Sequence, residues 1–440
     1  MNTILTTHPD AKSDALTPAQ RKAMFAATLG TMVEWADWLI YATLSSVFSR
    51  QFFPSSDPAV SLLSSFAVFA VGFLMRPIGA WIMGVYCDRH GRKSGLTLSV
   101  LMMGGGSLII ALTPGHDRIG IAAPALLLLA RLIQGLSVGG EYGASATYLS
   151  EMATRERRGF WSSFQYVTLI AGQLCALGVQ LVLQGVLSEA ALDQWGWRIP
   201  FLIGALLSLA VFLIRRRMTE TADFVMREAH KKSSAMALLR EHPGTALLVV
   251  LLTAGGTLAF YAYTTYMQKY LVNSAGYDRQ TAAQIMTAAL AVYMCLQPAI
   301  GALSDRIGRK PLLIAFGIGS ALFTVPLFTL IGRGGSPVLA FTLVLAGLVI
   351  VSGYTAINAI VKAELFPSHI RALGVALPYA IANALFGGSA EYVALALKGG
   401  GRESLFFWYV SGMALLSLLA YGLMRDTARH GTMTDQAKSS

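Results

Sequence analysis

Gly84-Val-Tyr-Cys-Asp88-Arg89-His90-Gly91-Arg92-Lys93 and Gly301-Ala-Leu-Ser-Asp305-Arg306-Ile-Gly308-Arg309-Lys310 are two copies of one polar loop in an otherwise apolar chain. A weaker echo follows each copy, since Glu151 and Arg158, seven residues apart, match Glu364 and Arg371. Two echoes at nearly one offset mean that the chain is internally duplicated. Outward from these loops lie apolar runs at 23–48, 60–86, 94–113, 121–149, 161–187, 198–214, 244–268, 281–303, 311–331, 338–361, 372–397 and 404–424. About 20 apolar residues in a helix cross a bilayer. The predicted fold class is therefore an all-α membrane protein, with twelve transmembrane helices in two pseudo-symmetric six-helix bundles. Each copy of the loop falls between the second and third spans of its half. Composition agrees: 55% of the 440 residues are hydrophobic and 13% charged, against about 25% charged in soluble domains.

The expected divisions are a tail at 1–22, a first bundle at 23–214, a linker at 215–243, a second bundle at 244–424 and a tail at 425–440. Polar residues precede the first span, which is too long for a signal peptide and lacks a small-residue cleavage site. The net charge of +11 is unevenly placed. Arg89, Arg92, Lys93, Arg155, Arg157, Arg158, Arg215 to Arg217, Arg227, Lys231, Lys232, Arg240, Arg306, Arg309 and Lys310 fall in loops on the side of both tails. The opposite loops carry scattered cations such as Arg50, Arg118, Arg279 and Arg333. Lys/Arg bias marks the cytoplasmic face, so both termini are expected in the cytoplasm of a bacterial inner-membrane protein. The basic balance reports topology and implies no nucleic-acid partner. Cys87, Cys175 and Cys295 have no ligand-spaced partners, and no metal or disulfide is expected.

The paired Gly-x-x-x-Asp-Arg-x-Gly-Arg-Lys loops, with Arg131-x-x-Gln134-Gly135-x-x-x-Gly139 in the fourth span, resemble the major facilitator superfamily. Within it, Glu34-Trp35-x-Asp37, Leu74-Met75-Arg76-Pro77-Ile78-Gly79, Gly139-Gly140-Glu141 and Trp197-Arg198-Ile199-Pro200-Phe201 resemble the metabolite:proton symporters. So do Phe164-Gln165-Tyr166, Tyr263-Thr264-Thr265-Tyr266 and Phe386-Gly387-Gly388-Ser389-Ala390-Glu391-Tyr392. At position 36, where that family usually has an aromatic, this chain has Ala36 followed closely by Trp38. The resemblance covers nearly the whole chain. It implies the major facilitator fold, alternating access and proton-coupled uptake of a small carboxylate, α-ketoglutarate first. Another organic acid, or a zwitterionic osmolyte such as proline or betaine, is the alternative. Proton rather than sodium coupling rests on the resemblance alone.

Ionisable groups inside a bilayer are costly, and those retained there are functional candidates. Glu34 and Asp37 share a helical face with Trp38 and Tyr41, and Glu34 lies about 18 Å into its span. Arg131, Gln134, Val138, Glu141 and Tyr142 form a stripe in the fourth span beside Gly135, Gly139 and Gly143, a spacing that lets membrane helices approach closely. No histidine lies at depth, so Glu34, Asp37 and Glu141 are the candidates for the coupling proton. A structural partner for a buried Arg is the competing role for the first two. Arg76 or Arg131 would hold a substrate carboxylate, because guanidinium binds it in a bidentate fork, and would trade to Glu34, Asp37 or Glu141 once substrate leaves. Arg131→Lys is expected to weaken transport severely on that reading. Arg76 could equally be a strut. Further substrate contacts are expected at Gln134, Trp38, Tyr41, Gln165, Tyr263, Tyr266 and Lys269, with Asn358, Lys362 and Asn383 weaker candidates. The tyrosines could alternatively be interface anchors.

Asp88, Arg89, Arg92, Asp305, Arg306 and Arg309 are expected to gate the basic face, the two acids accepting from helix N-termini and basic neighbours across the seam. Glu391, near the outer end of its span, is expected to gate the other face. There is no phosphate-binding Gly-x-x-x-x-Gly-Lys-Ser/Thr loop, His-Glu-x-x-His or nucleophile elbow. The sequence therefore points to a secondary transporter rather than an enzyme, without a cofactor. Its expected partners are a carboxylate, a proton and the bilayer, and it is expected to act as a monomer.

Overall fold

The computed structural model describes residues 17–55, 58–221, 224 and 233–433. Arg227, Lys231 and Lys232 of the expected linker, His8, His230, most of the N-terminal tail and residues 434–440 lie outside them.

The described residues form twelve long helical segments and no strand. The first half comprises α1 (Pro18–Phe52), α2 (Pro58–His90), α3 (Arg92–Leu112), α4 (Ala122–Met152), α5 (Arg158–Val186) and α6 (Arg198–Arg215). The second comprises α7 (Pro243–Asn273), α8 (Arg279–Ile307), α9 (Lys310–Gly332), α10 (Pro337–Leu365), α11 (Arg371–Gly399) and α12 (Ser404–Leu423). Local chemistry sets several starts. Thr17 and Gln20 form a capping box ahead of Pro18, Asp278 accepts from Thr281 N at 2.9 Å, and Ser336 precedes Pro337 at the first turn of α10. Ten of the segments are long and apolar enough to cross a membrane. At 35 and 33 residues, α1 and α2 also have the length.

Burial is arranged for an apolar solvent. Leu74, Leu206, Leu322, Trp408 and Leu419 face outward, whereas Glu34, Asp37, Arg76, Arg131, Gln134, Glu141 and Arg215 are buried. The halves meet along α2–α11 and α5–α8, with α4 against α10 and α11. The glycine stripe of α4 lets that helix approach α2 within its own half and α11 across the seam. A Cβ at Gly135 would lie 2.4 Å from Gly72 O, one at Gly139 2.2 Å from Arg76 O, and one at Gly143 2.8 Å from Ala372 O of α11.

The duplicated loops build two related joints on one face. Asp88 accepts from the N–H groups of Ala372 and Leu373 at the start of α11, both at 3.0 Å. Asp305 accepts from Gly159 and Phe160 at the start of α5, at 2.8 and 2.9 Å. Each acid in one half thus caps a helix of the other, where the unpaired N–H groups and the helix dipole favour negative charge. Arg92 bridges Asp88 and Glu151 at 2.9 and 3.2 Å, and Arg371 reaches Glu151 at 2.8 Å. Arg309 bridges Asp305 and Glu364 at 2.8 and 3.5 Å. Arg89 donates to Ser233 O at 3.0 Å, and Arg306 is exposed.

The loop glycines are required by the backbone. Gly91 and Gly308 have φ of 106° and 96°. A Cβ at either would also lie 2.1 Å from a carboxylate oxygen, of Glu220 and Asp426 respectively. Those carboxylates cap α3 and α9: Glu220 accepts from Arg92 N at 3.1 Å and Asp426 from Arg309 N at 3.2 Å. The next residues, Thr221 and Thr427, donate to Glu151 and Glu364 at 2.5 and 2.6 Å. Gly91→Ala and Gly308→Ala should each destabilise the protein by about 1–2 kcal/mol. Both should therefore melt below the wild type, whereas Gly105→Ala, with nothing within 4 Å of the added atom, should not. Equal melting temperatures for all three would remove the strain argument.

Candidate functional site: a buried ionic core and a cavity at the seam

The first half holds an ion triad. Arg215, the last residue of α6, donates to Glu34 of α1 at 2.7 Å and to Glu141 of α4 at 3.0 Å. All three are buried. Arg215 was expected among the loop cations. The structure corrects this, because its guanidinium turns inward and also bonds the carbonyls of Leu96 and Ala27 at 2.5 and 3.1 Å. Gly30 makes the room, since a Cβ there would lie 2.3 Å from the guanidinium. Glu141 further accepts from Thr31 at 2.7 Å and from Ser99, and Glu34 from Ser137 at 3.4 Å. The triad has two carboxylates and one cation.

One turn along α1, Asp37 accepts from Ser107 and from Gln134 Nε2, the latter at 3.3 Å. Gln134 Oε1 in turn accepts from Arg131 at 2.7 Å. The Arg131 guanidinium lies over Trp38 at 3.8 Å and Tyr41 at 4.4 Å. Arg76 approaches the same Trp38 ring at 5.0 Å, and its guanidinium also contacts Trp35 at 5.2 Å and Phe73 at 4.0 Å. Trp38 therefore serves two guanidinium groups, an attraction its ring quadrupole supports. Arg76 is buried, has no carboxylate within ion-pair distance among the described residues, and its Nε and Nη2 donate to nothing. The two arginines differ in setting: one Arg131 nitrogen donates to Gln134, whereas Arg76 lines the cavity between the halves.

Arg76 faces a narrow cavity at the seam, lined by Trp35, Arg76, Val138, Gly139 and Tyr142 from the first half and Tyr379, Ala380 and Asn383 from the second. Tyr142 and Tyr379 stack with centroids 3.7 Å apart and planes at 11°. Leu252, Leu313, Tyr354, Asn358, Val361 and Lys362 line a second, closely packed space in the second half.

Tyr263, Tyr266 and Lys269, expected at the substrate site, lie elsewhere. Tyr263 packs on Phe328, Tyr266 donates to Glu403 at 2.6 Å, and Lys269 pairs with Glu391 at a partly exposed edge. Their stripe faces α9 and α12, within the second half. The edge of α7 that meets α11 instead presents Thr257, which donates to Asn383 at 2.8 Å, and Tyr261, which packs near Gly387. A π-turn over Ala262–Tyr266 interrupts α7 here, and a second over Asn383–Gly387 interrupts α11. Gln165 is buried in α5 with neither amide atom hydrogen-bonded. Tyr41 donates to Ser65 O at 3.1 Å.

Sequence reading missed Arg215, Tyr379 and the Glu220-Thr221 and Asp426-Thr427 pairs. The last had a signal: Met218-Thr219-Glu220-Thr221 and Met424-Arg425-Asp426-Thr427 follow the last span of each half.

Comparison with known proteins places this geometry. The profile of the Major Facilitator Superfamily matches residues 24–390. The chain is 54% identical to the alpha-ketoglutarate permease of Escherichia coli K12, over 90% of this chain and 92% of that one. It is 34% identical to a citrate-proton symporter of Klebsiella pneumoniae, over 90% of each. The fold superposes on the proton:xylose symporter XylE, bound to 6-bromo-6-deoxy-D-glucose, with a TM-score of 0.81 at 17% identity, covering 96% of this chain and 99% of that one. This chain therefore belongs to the Major Facilitator Superfamily.

Proposed function

We propose that this multi-pass inner-membrane protein imports a small dicarboxylate, α-ketoglutarate first, together with protons, by alternating access between halves 23–214 and 244–424. The observation that carries the reading is Arg76, a buried guanidinium with open donors and, among the described residues, no counter-ion, set in an aromatic cage at the seam between the halves. A buried charge without a partner is expensive. A transported carboxylate supplies the missing partner, and the similarity to a permease of that name supports which one. Gln165 adds an unbonded amide in α5. Arg131 positions Trp38 rather than touching substrate.

The proton rides on the Glu34–Glu141 pair, where one guanidinium faces two carboxylates. Asp37 belongs to the Arg131–Gln134 network beside it and is the lesser carrier. The face with the duplicated loops is cytoplasmic, as its Lys and Arg content supports. Asp88, Arg92, Asp305 and Arg309 hold that face shut, Arg89 ties Ser233 to it, and Arg306 contributes surface charge. Lys269–Glu391 acts at the opposite face.

The test is uptake of labelled α-ketoglutarate into liposomes containing the purified protein, with and without an inward pH gradient, and with succinate, citrate, shikimate, proline and betaine as competitors. Gradient-driven accumulation blocked by dicarboxylates supports the reading. Accumulation blocked only by betaine or proline overturns the substrate, and none under any gradient overturns the coupling. In the same assay Arg76→Lys, which keeps the charge and loses the fork, should weaken α-ketoglutarate binding about 10- to 100-fold. Unchanged half-saturation would remove Arg76 from the site.

A further inference from the structure

Lys362 is another buried cation, and the proton and substrate scheme above does not use it. It lies in α10 of the second half and is 1% exposed. Its ammonium donates to Asn358 Oδ1 at 2.8 Å and to the Tyr142 hydroxyl at 3.2 Å, both uncharged oxygens. It lies 4.1 Å from the centroid of the Tyr379 ring and 5.1 Å from that of Tyr142. No carboxylate lies within ion-pair distance among the described residues. The nearby Glu364 is taken by Arg309 and Thr427. An ammonium satisfied only by neutral oxygens and ring faces is expensive to bury. Methionine or glutamine would fill the same volume without that penalty, so packing does not account for a lysine here.

Arg76 and Lys362 are arranged as a pair. Arg76, from the first half, shares its cavity with Tyr142 and Tyr379. Lys362, from the second half, contacts the same two rings and also lines the second space, which the rings do not line. The stacked rings therefore line the Arg76 cavity and touch Lys362. One ring comes from each half, so relative movement of the halves must slide or part them.

We propose that Lys362 is the second carboxylate-binding cation, so that the site takes a dianion whose two carboxylates bridge the halves at Arg76 and Lys362, with the Tyr142–Tyr379 stack as a movable partition between them. This rests on the reading of the protein as a carboxylate transporter and adds what selects two carboxylates over one. A monoanion satisfies one half only. A dianion links both, and its binding energy is available to draw the halves together.

The experiment is equilibrium binding to the purified full chain in nanodiscs, by calorimetry, of α-ketoglutarate and of 2-oxopentanoate, which keeps the keto acid and replaces the far carboxylate by a methyl group. The wild type should bind the diacid about 10- to 100-fold more tightly, the worth of one charge-assisted hydrogen bond. Lys362→Met should bring the two affinities within about threefold by weakening the diacid alone, while Lys362→Arg keeps the preference. Arg76→Met should weaken both ligands. Equal weakening of both ligands by Lys362→Met, or an undiminished diacid preference, overturns the proposal and leaves the carboxylate reading intact. Should Lys362→Met fail to fold, the wild-type ratio decides: near-equal affinities overturn the second cation. Wild-type protein that binds neither compound overturns the carboxylate reading, and this proposal with it.

Discussion

Glu141→Gln should abolish accumulation driven by a pH gradient while leaving α-ketoglutarate exchange between the two sides of the membrane intact. Glu34 and Glu141 share the Arg215 guanidinium at 2.7 and 3.0 Å, inside a shell of Thr31, Ser99 and Ser137 hydroxyls. Glutamine keeps the size and much of the hydrogen bonding of a protonated glutamate. It leaves one carboxylate facing one cation, a balanced pair with no reason to bind a proton. The cycle can then carry substrate in both directions but cannot be drawn by protons. In liposomes with a gradient of one pH unit, each coupled proton supplies about 1.4 kcal/mol, or about tenfold accumulation. The wild type should approach that ratio or exceed it, and Glu141→Gln should stay near one. Glu34→Gln should behave alike. Asp37→Asn should slow uptake but keep the gradient response, because Asp37 is bonded within the Gln134–Arg131 network. Gradient-driven accumulation by Glu141→Gln, together with its loss in Asp37→Asn, would move the proton to Asp37.

The second large effect concerns folding. Arg215→Met should destabilise the protein by about 3–5 kcal/mol, the range for removing one partner of a buried ion pair. It removes the only cation bonded to Glu34 and Glu141 among the described residues, and it also unties the carbonyls of Leu96 and Ala27. Adding Glu141→Gln should recover a good part of the loss, since one fewer carboxylate is then stranded. The measurement is a double-mutant cycle on melting temperature in one detergent. Arg215→Lys should fall between, because an ammonium cannot span both carboxylates and both carbonyls as the planar fork does. Additive effects in the Arg215→Met/Glu141→Gln cycle would mean that the two residues do not interact energetically.

The twelve spans were legible because a bilayer imposes its requirement locally: each crossing needs its own run of apolar residues. The duplication was equally legible, since Asp88 and Asp305 stand in the same ten-residue context. The ionisable residues at depth could be named one by one because a charge stands out within an apolar run. Their partners could not. Helical spacing placed Tyr263, Tyr266 and Lys269 on one stripe, but spacing gives the face and not its neighbour, and that face meets Phe328 and Glu403 within the second half.

Arg215 shows the boundary between the two kinds of knowledge most clearly. It opens the Arg-Arg-Arg run that reads as a basic loop, yet the fold turns that one side chain inward to carboxylates 181 and 74 residues away. Its two neighbours are exposed. The sequence by itself determined how many helices cross, that they form two related halves, and which unusual groups lie at depth. Only the tertiary structure decided that Arg215 pairs with both Glu34 and Glu141, that Arg76 Nε and Nη2 are unbonded among the described residues, and that Tyr142 and Tyr379 meet across the seam near Lys362. The reason is physical: hydropathy acts over one turn or one span, whereas charge pairing and cavity lining depend on how each helix is rotated against helices far away in the chain.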